Sequence, residues 1–186
     1  AKGEELIIKH FLDSLAPVSI FTSLMKESEN PIRCADIGSG GGFPAIPLSI
    51  VCGETHWSLI ERSKKKCGFL LNVVASCNLY GRVEVLDKDL KEVHQQYDFI
   101  TFRAFASIND ILSSLQTIVT PRGVICAYKG KIETTFEELS LIGNVVGDTS
   151  SGSVGPFNYQ IVPVKVPFLD ASRHILLLSL HEKGKG

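Results

Sequence analysis

The stretch Ala35-Asp36-Ile37-Gly38-Ser39-Gly40-Gly41-Gly42-Phe43-Pro44 sets four glycines between an apolar run and a proline, and few structures tolerate that order. The spacing predicts a strand, a tight turn and a helix start. Ile32 to Ile37 is short and mostly apolar, as a buried parallel strand is, and Pro44 has its φ preset for a first helical turn, where a missing N–H costs nothing. Only near-bare backbone is left between them. Such a loop can come close to a ligand and aim N–H groups at it.

Dinucleotide enzymes and S-adenosylmethionine enzymes both use a loop of this kind, and the glycine spacing separates them. The dinucleotide fingerprint needs its third glycine three residues after the second, but Phe43 stands there and the glycine falls at Gly42. Asp36 followed by alternating Gly38 and Gly40 fits the methyltransferase pattern better, so S-adenosylmethionine is the expected cofactor. A second anchor is Glu61. Thr55 to Ile60 reads as the next strand, and a carboxylate at its tip, roughly 20 residues past the loop, is placed to accept hydrogen bonds from ribose hydroxyls. Strand-end acids also occur as plain caps. Asp87-Lys88-Asp89-Leu90 follows the third predicted strand, Arg82 to Leu86, where an adenine ring would lie in this architecture.

The rest of the chain alternates strand and helix signals. Glu4 to Leu15 reads as an amphipathic helix with Ile7, Ile8, Phe11, Leu12 and Leu15 on the core; His10 and Asp13, three apart, share a side and can touch each other or a ligand. A short helix over Ala45 to Val51 is predicted, then one from Ser63 that buries Phe69, Leu70, Val73, Val74 and Cys77. Its first turn is chemically odd, because Lys64, Lys65 and Lys66 oppose the helix dipole at a few tenths to about 1 kcal/mol each in low salt. An anionic partner such as RNA phosphate would offset that, as would Glu61 or plain solvation. Asp98 to Phe102 is the fourth strand, closed by Arg103. Ser107 to Asp110 resembles a capping box that opens a helix with Ile108, Ile111, Leu112, Leu115, Ile118 and Val119 inward, ended by Pro121. Gly123 to Tyr128 is the fifth strand, followed at once by Lys129-Gly130. Arg103 and Lys129 thus both leave the carboxyl ends of strands, the ligand edge of an open parallel sheet. After a helix over Ile132 to Ile142, Ser150 to Pro156 reads as a flexible loop, Tyr159 to Val166 as an exposed-edge strand containing Pro163, and His174 to Leu180 as an apolar strand preceded by Arg173. The expected fold is therefore α/β: a Rossmann-like class I S-adenosylmethionine-dependent methyltransferase, its sheet mostly parallel with an antiparallel C-terminal strand pair.

At 186 residues and 44% hydrophobic, the chain has material for one substantial core, and a single methyltransferase domain over 1–186 is expected. No apolar run is long enough to span a bilayer and the N-terminus has no apolar signal core, so a cytoplasmic protein without membrane association, acting as a monomer, is the expectation. With a formal net charge of −1, attraction to nucleic acid must rest on local patches. The candidates are Arg62 with Lys64 to Lys66, the group Arg103, Lys129 and Lys131, Arg173-His174, and the tail lysines Lys183 and Lys185; a lysine run is otherwise just a solvated face. The five cysteines show no C-x-x-C spacing, and Cys34 and Cys126 sit in apolar runs as buried free thiols do. A reactive or methyl-accepting cysteine is the alternative, without a flanking motif to support it. The five histidines are scattered, so no metal site is expected.

Several stretches together resemble the bacterial 16S ribosomal RNA guanine-N7 methyltransferases, the RsmG or glucose-inhibited division protein B family. They are His10 to Leu15, the glycine loop through Phe43-Pro44 with Ile46-Pro47-Leu48, Arg103 to Ser107, Tyr128 with Lys129-Gly130, and Val166-Pro167 through Leu169-Asp170 to Arg173-His174. The match runs along nearly the whole chain, and the order and spacing of these pieces are specific. The resemblance implies methyl transfer to guanine nitrogen 7 of 16S ribosomal RNA, as free RNA or in the small ribosomal subunit. By it, Gly38, Gly40 and Phe43 line the methionine and ribose side of the cofactor, Glu61 holds the ribose, and Asp89-Leu90 the adenine. Arg103 lies between cofactor and substrate, while His10, Lys129 and Arg173 match positions that face RNA or support the catalytic pocket. Two departures stand out: the family often has aspartate where Glu61 is and a small-then-acidic pair where Asp89-Leu90 is, which shifts adenine recognition toward backbone. The family's upstream helical segment with an asparagine-leucine-threonine motif is missing, so 1–30 is expected to be an N-terminal helical segment truncated relative to the family. A methyltransferase for a small molecule or protein on the same fold, and a nicotinamide oxidoreductase or non-catalytic regulator, are the competing readings of the residues themselves.

Overall fold

In the computed structural model, residues 2–26 and 30–181 are described; Lys183 and Lys185 lie outside the described residues. The chain opens as helix α1 (Lys2–Leu6), a π-helical segment (Ile7–Leu12) and α2 (Asp13–Leu15), then α3 (Val18–Lys26). Strand β1 (Ile32–Ile37), α4 (Ala45–Val51), β2 (Thr55–Glu61), α5 (Lys64–Ser76) and β3 (Val83–Asp87) follow. A 3-10 turn (Leu90–Glu92) leads to β4 (Tyr97–Arg103), α6 (Ile108–Ile118), β5 (Val119–Lys129) and α7 (Ile132–Ile142). The chain ends in β6 (Val145–Gly147), β7 (Ser151–Val154), β8 (Phe157–Pro163) and β9 (His174–Leu180).

The nine strands of the described residues form one sheet in the order β3-β2-β1-β4-β5-β9-β8-β7-β6. The first five pair in parallel and the last four antiparallel. Strand alternation sends successive side chains to opposite faces, and both faces are covered. Ala35, Ile37, Ile100 and Phe102 pack with Ile108, Ile111 and Leu115 of α6 and Leu139 of α7. On the other face Cys34, Trp57, Leu59 and Phe99 pack with Phe21 of α3, Leu48 of α4, and Leu70 and Val74 of α5. Strand order reverses between β1 and β4, and ligands of open α/β sheets bind outside the carboxyl ends at such a switch point. Because β9 is antiparallel to β5, its amino end lies at the same edge: Lys129 pairs with His174.

The tail departs from the sequence expectation. The predicted 150–156 loop contains β7, and β8 is an interior strand between β7 and β9, the free edge passing to β6. Asp148 makes the hairpin: its Oδ1 accepts from the backbone N–H groups of Ser150 and Ser151 at 2.7 and 3.0 Å, and its carbonyl accepts from Tyr159 Oη at 2.8 Å. Pro163 is tolerated as the last residue of β8, where a missing donor breaks little of the ladder. On α5 the inward residues are Cys67, Leu70 and Val74, while Phe69 and Cys77 are exposed. The capping box expected at Ser107 does not form; the Ile108 N–H is met by Glu138 Oε2 at 3.3 Å, from α7. The largest departure is at the N-terminus. Ile7 and Phe11 are exposed, whereas Asp13 and Ser14 are buried, because the wider π turn shifts the helical phase and the guanidiniums of Arg103 and Arg173 draw Asp13 inward.

Candidate functional site

The glycine loop leaves β1 at the switch point with Gly38, Gly40 and Gly42 at φ of +68°, +54° and +86°. At Gly38 the left-handed backbone and the neighbour both exclude a side chain, since an added Cβ would lie 2.1 Å from the Phe105 ring. At Gly40 nothing but the Gly38 carbonyl, 3.6 Å away, lies near such a Cβ, so that side of the loop is open. Glu61, buried at the end of β2, braces the turn: Oε2 accepts from the Gly40 N–H at 3.0 Å and Oε1 from the Ser63 N–H at 2.9 Å. It thereby also places a carboxylate at the start of α5, beside the exposed Lys64, Lys65 and Lys66, and answers part of the dipole conflict there.

Beside this loop lies a cavity of about 240 Å³ lined by Gly38, Glu61, Arg62, Lys66, Asp89 and Leu90. Asp89 spends its carboxylate on the 3-10 turn, accepting from the Lys91 N–H while Glu92 accepts from the Asp89 N–H. Leu90 is buried. That leaves an apolar side chain and backbone on the far wall.

Asp36 is 1% exposed, and neither carboxylate oxygen has a hydrogen-bond partner among the described residues; the nearby Ser39 hydroxyl donates to the Asp36 backbone carbonyl at 2.9 Å. Burial raises its carboxyl from 3.8 to about 7, against the lowering influence of Ser39 and Arg103 and with a further push from Glu61. A buried acid without partners is costly unless a ligand completes it. The open glycine turn and the Glu61 carboxylate at the smaller cavity suit a ligand with hydroxyls, such as S-adenosylmethionine, while Asp36 lies buried behind them and lines neither cavity.

A second, larger cavity of about 770 Å³ opens on the other side of Ala104 and Phe105, lined among others by His10, Asp13, Arg103, Lys129, Thr135 and Arg173. Ala104 and Phe105 line both cavities, Ala104 with φ of +50°. The sequence-predicted cations therefore converge. Arg103 Nη1 donates to Asp13 Oδ2 at 3.1 Å and to the Lys9 carbonyl at 3.3 Å, and Arg103 Nη2 lies 3.2 Å from His10 Nδ1. Arg173 Nε donates to Asp13 Oδ1 at 3.1 Å. The Phe43 ring lies tilted against His10 and edge-on to Phe11, with centroids 5.3 and 5.0 Å away, and the Arg103 guanidinium carbon is 5.9 Å from its centre. Lys129 Nζ pairs with Glu138 Oε2 at 2.6 Å. Behind them His174 Nε2 sits 2.8 Å from Thr135 Oγ1, and burial lowers its basicity, with Gly130 opposing and Lys129 reinforcing the shift.

Gly38, Glu61, Asp89 and Leu90 thus meet at one cavity and His10, Arg103, Lys129 and Arg173 at the other. Gly40 and Phe43 adjoin them through Glu61 and His10. Asp13 and Glu138, the carboxylates that hold the cations, are absent from the predicted site. The three-residue spacing of His10 and Asp13 was a signal for the first; nothing local marks the second.

The family described as rRNA small subunit methyltransferase G (GidB) matches residues 1–140. The chain is similar to a protein named ribosomal RNA small subunit methyltransferase G from Borrelia turicatae, 36% identical over 138 residues that cover 74% of this chain and 64% of that protein. One of the same name from Treponema denticola is 32% identical over 202 residues, covering 94% of this chain and 75% of that protein. The match thus spans less than two thirds of the Borrelia protein's own length. Among solved structures, a magnesium protoporphyrin IX methyltransferase from Synechocystis with bound SAM superposes with a TM-score of 0.63 at 14% identity, over 91% of this chain and 80% of that one. At that identity the likeness speaks to the fold, which is the class I S-adenosylmethionine-dependent methyltransferase fold.

Proposed function

The chain belongs to the rRNA small subunit methyltransferase G family, and from that premise we propose that it transfers a methyl group from S-adenosylmethionine to ring nitrogen 7 of a guanine in 16S ribosomal RNA. The observation that carries the reading is the convergence of Arg103, Lys129 and Arg173 on one cavity that shares its wall, Ala104 and Phe105, with the glycine-loop cavity. In this reading the protein works in the cytoplasm as a monomer on RNA or on the small subunit.

When bound, S-adenosylmethionine supplies an electrophilic methyl that a lone pair can take up without prior deprotonation. Guanine nitrogen 7 is such a lone-pair acceptor. The chain's own side chains then have to bind, align and exclude water rather than move a proton, and alignment alone is worth about 7–11 kcal/mol in favourable cases. Gly38 and Gly40 would admit the cofactor to the backbone, Glu61 would receive the ribose hydroxyls, Leu90 and the Asp89 backbone would flank the adenine, and Asp36, buried at the end of β1, would act on the cofactor's positive charge through its field. Phe43 and His10 close the side toward the N-terminal helix. Nitrogen 7 faces the deep, narrow major groove of A-form RNA, so the guanine must be unpaired or flipped out. Arg103, Lys129 and Arg173 hold its flanking phosphates or its exocyclic O6 oxygen.

The test is incubation with methyl-labelled S-adenosylmethionine and small ribosomal subunits lacking the modification. Label in 16S RNA is expected. Label only in protein or a metabolite would favour the other methyltransferase readings, and none at all would reject methyl transfer.

A further inference from the structure

We propose that Asp13 is the positioning residue of this site, a single buried carboxylate that holds Arg103 and Arg173 at fixed separation over the end of β5; the inference rests on the reading given under Proposed function. Arg103 ends β4 and Arg173 precedes β9, and β5 lies between those strands. Two strand spacings, about 10 Å, therefore separate the points from which these side chains start. Asp13 spans the gap, accepting at Oδ2 from Arg103 Nη1 and at Oδ1 from Arg173 Nε, both at 3.1 Å.

Three features set this apart from an incidental surface ion pair. The Asp13 side chain is 6% exposed and the two arginines 21% and 29%, so the pairing is shielded from the solvent that makes exposed pairs nearly worthless. The carboxylate is also centred by a separate bond: Tyr128 Oη, on β5, donates to the Ser14 carbonyl at 2.6 Å and pins the helix beside Asp13 to the strand between the two arginines. Finally, the π-helical turn before Asp13 leaves Ile7 and Phe11 exposed while the acid is buried, an arrangement that apolar burial alone would not choose. Two guanidiniums that approach one substrate would repel each other. Asp13 offsets that repulsion and is the one acceptor the two forks share, Arg103 being further held by the Lys9 carbonyl and His10 Nδ1 and Arg173 by the Ser172 carbonyl. Lys129 is held independently by Glu138.

The decisive experiment is Asp13→Asn, which keeps shape but offers one acceptor oxygen and turns an NH2 group toward the other arginine. Single-turnover methylation is expected to fall at least about thirty-fold, with cofactor affinity by calorimetry within about threefold of wild type. In an Arg103→Ala, Arg173→Ala background, adding Asp13→Asn should cost less than about threefold further, because the residue acts through those side chains. A thirty-fold loss of unchanged size in that background, or wild-type rates in Asp13→Asn, would overturn the proposal. If Asp13→Asn does not fold, Asp13→Glu serves: it is expected to fold and to recover methylation partially, and a folded Asp13→Glu with full wild-type activity and unaltered arginine signals would count against the fixed separation. Independently of any activity, NMR of the arginine side chains should show a slowly exchanging Arg173 Nε–H in the wild type that is lost in the Asn or shifted in the Glu variant. That readout stands even if the ribosomal substrate is wrong, and an Arg173 signal indifferent to residue 13 would reject the anchor itself.

Discussion

Asp36→Asn isolates a buried carboxyl whose ionisation moves into the neutral pH range. The folded-state carboxyl is raised to about 7 from 3.8 by burial, a rise of about 3 pH units or about 4 kcal/mol in the full limit. The folded protein holds this proton more tightly than the unfolded chain does, so the contribution to stability is fully present below 3.8 and is lost as pH rises through 7. Between about pH 5 and about pH 8.5 the loss integrates to about 3 kcal/mol. His174 acts in the opposite sense, since a histidine with lowered basicity favours folding as pH rises, but it is common to both proteins and cancels in the comparison. Urea unfolding of wild type and variant across this range should therefore give stability curves that separate by about 3 kcal/mol, the variant gaining relative to wild type at high pH. Parallel curves would refute the assignment of a proton to Asp36. The same group predicts that a cationic ligand bound beside it drives ionisation: calorimetry with S-adenosylmethionine at about pH 6, in buffers of different ionisation enthalpy, should detect proton release that vanishes in the variant.

Other perturbations probe the neighbouring parts. Glu61→Ala removes the acceptor for two backbone N–H groups, so stability should fall by about 1–3 kcal/mol and cofactor affinity with it; unchanged calorimetric affinity would take Glu61 out of the site. Gly38→Ala sets a methyl against the Phe105 ring on left-handed backbone and should abolish cofactor binding, with Phe105→Ala restoring part of it; binding as in wild type would contradict the contact. Lys129→Ala should spare cofactor affinity, reduce methylation, and lessen the slope of log affinity for RNA against log salt by about 0.7. An unchanged slope would place Lys129 away from phosphate.

Local chemistry made much of this molecule readable in the sequence. The four-glycine loop, Glu61 at a strand tip and the cations at the ends of β4 and β5 each carry their meaning within a few residues, and the structure brings them to one sheet edge. Features that depend on distant partners were not readable. Asp13 meets Arg103 and Arg173 across 90 and 160 residues of chain, and the hydrophobic pattern around it points the other way. Strand β7, Ser151–Val154, looks like a Gly/Ser loop because it is fixed by Asp148 and by pairing to β8 rather than by a run of β-branched side chains. Glu138, which meets Lys129 and the first turn of α6, reads as one more exposed acid on a helix.

Methyl transfer to a single atom, guanine nitrogen 7, is read out by mass spectrometry of nuclease-digested 16S RNA. After reaction of unmodified small subunits with this protein and S-adenosylmethionine, one new N7-methylguanosine is expected at an unpaired or flippable guanine, formed more slowly but still measurably in Arg103→Ala. A methyl on any other base atom, on the ribose or on a ribosomal protein would contradict it.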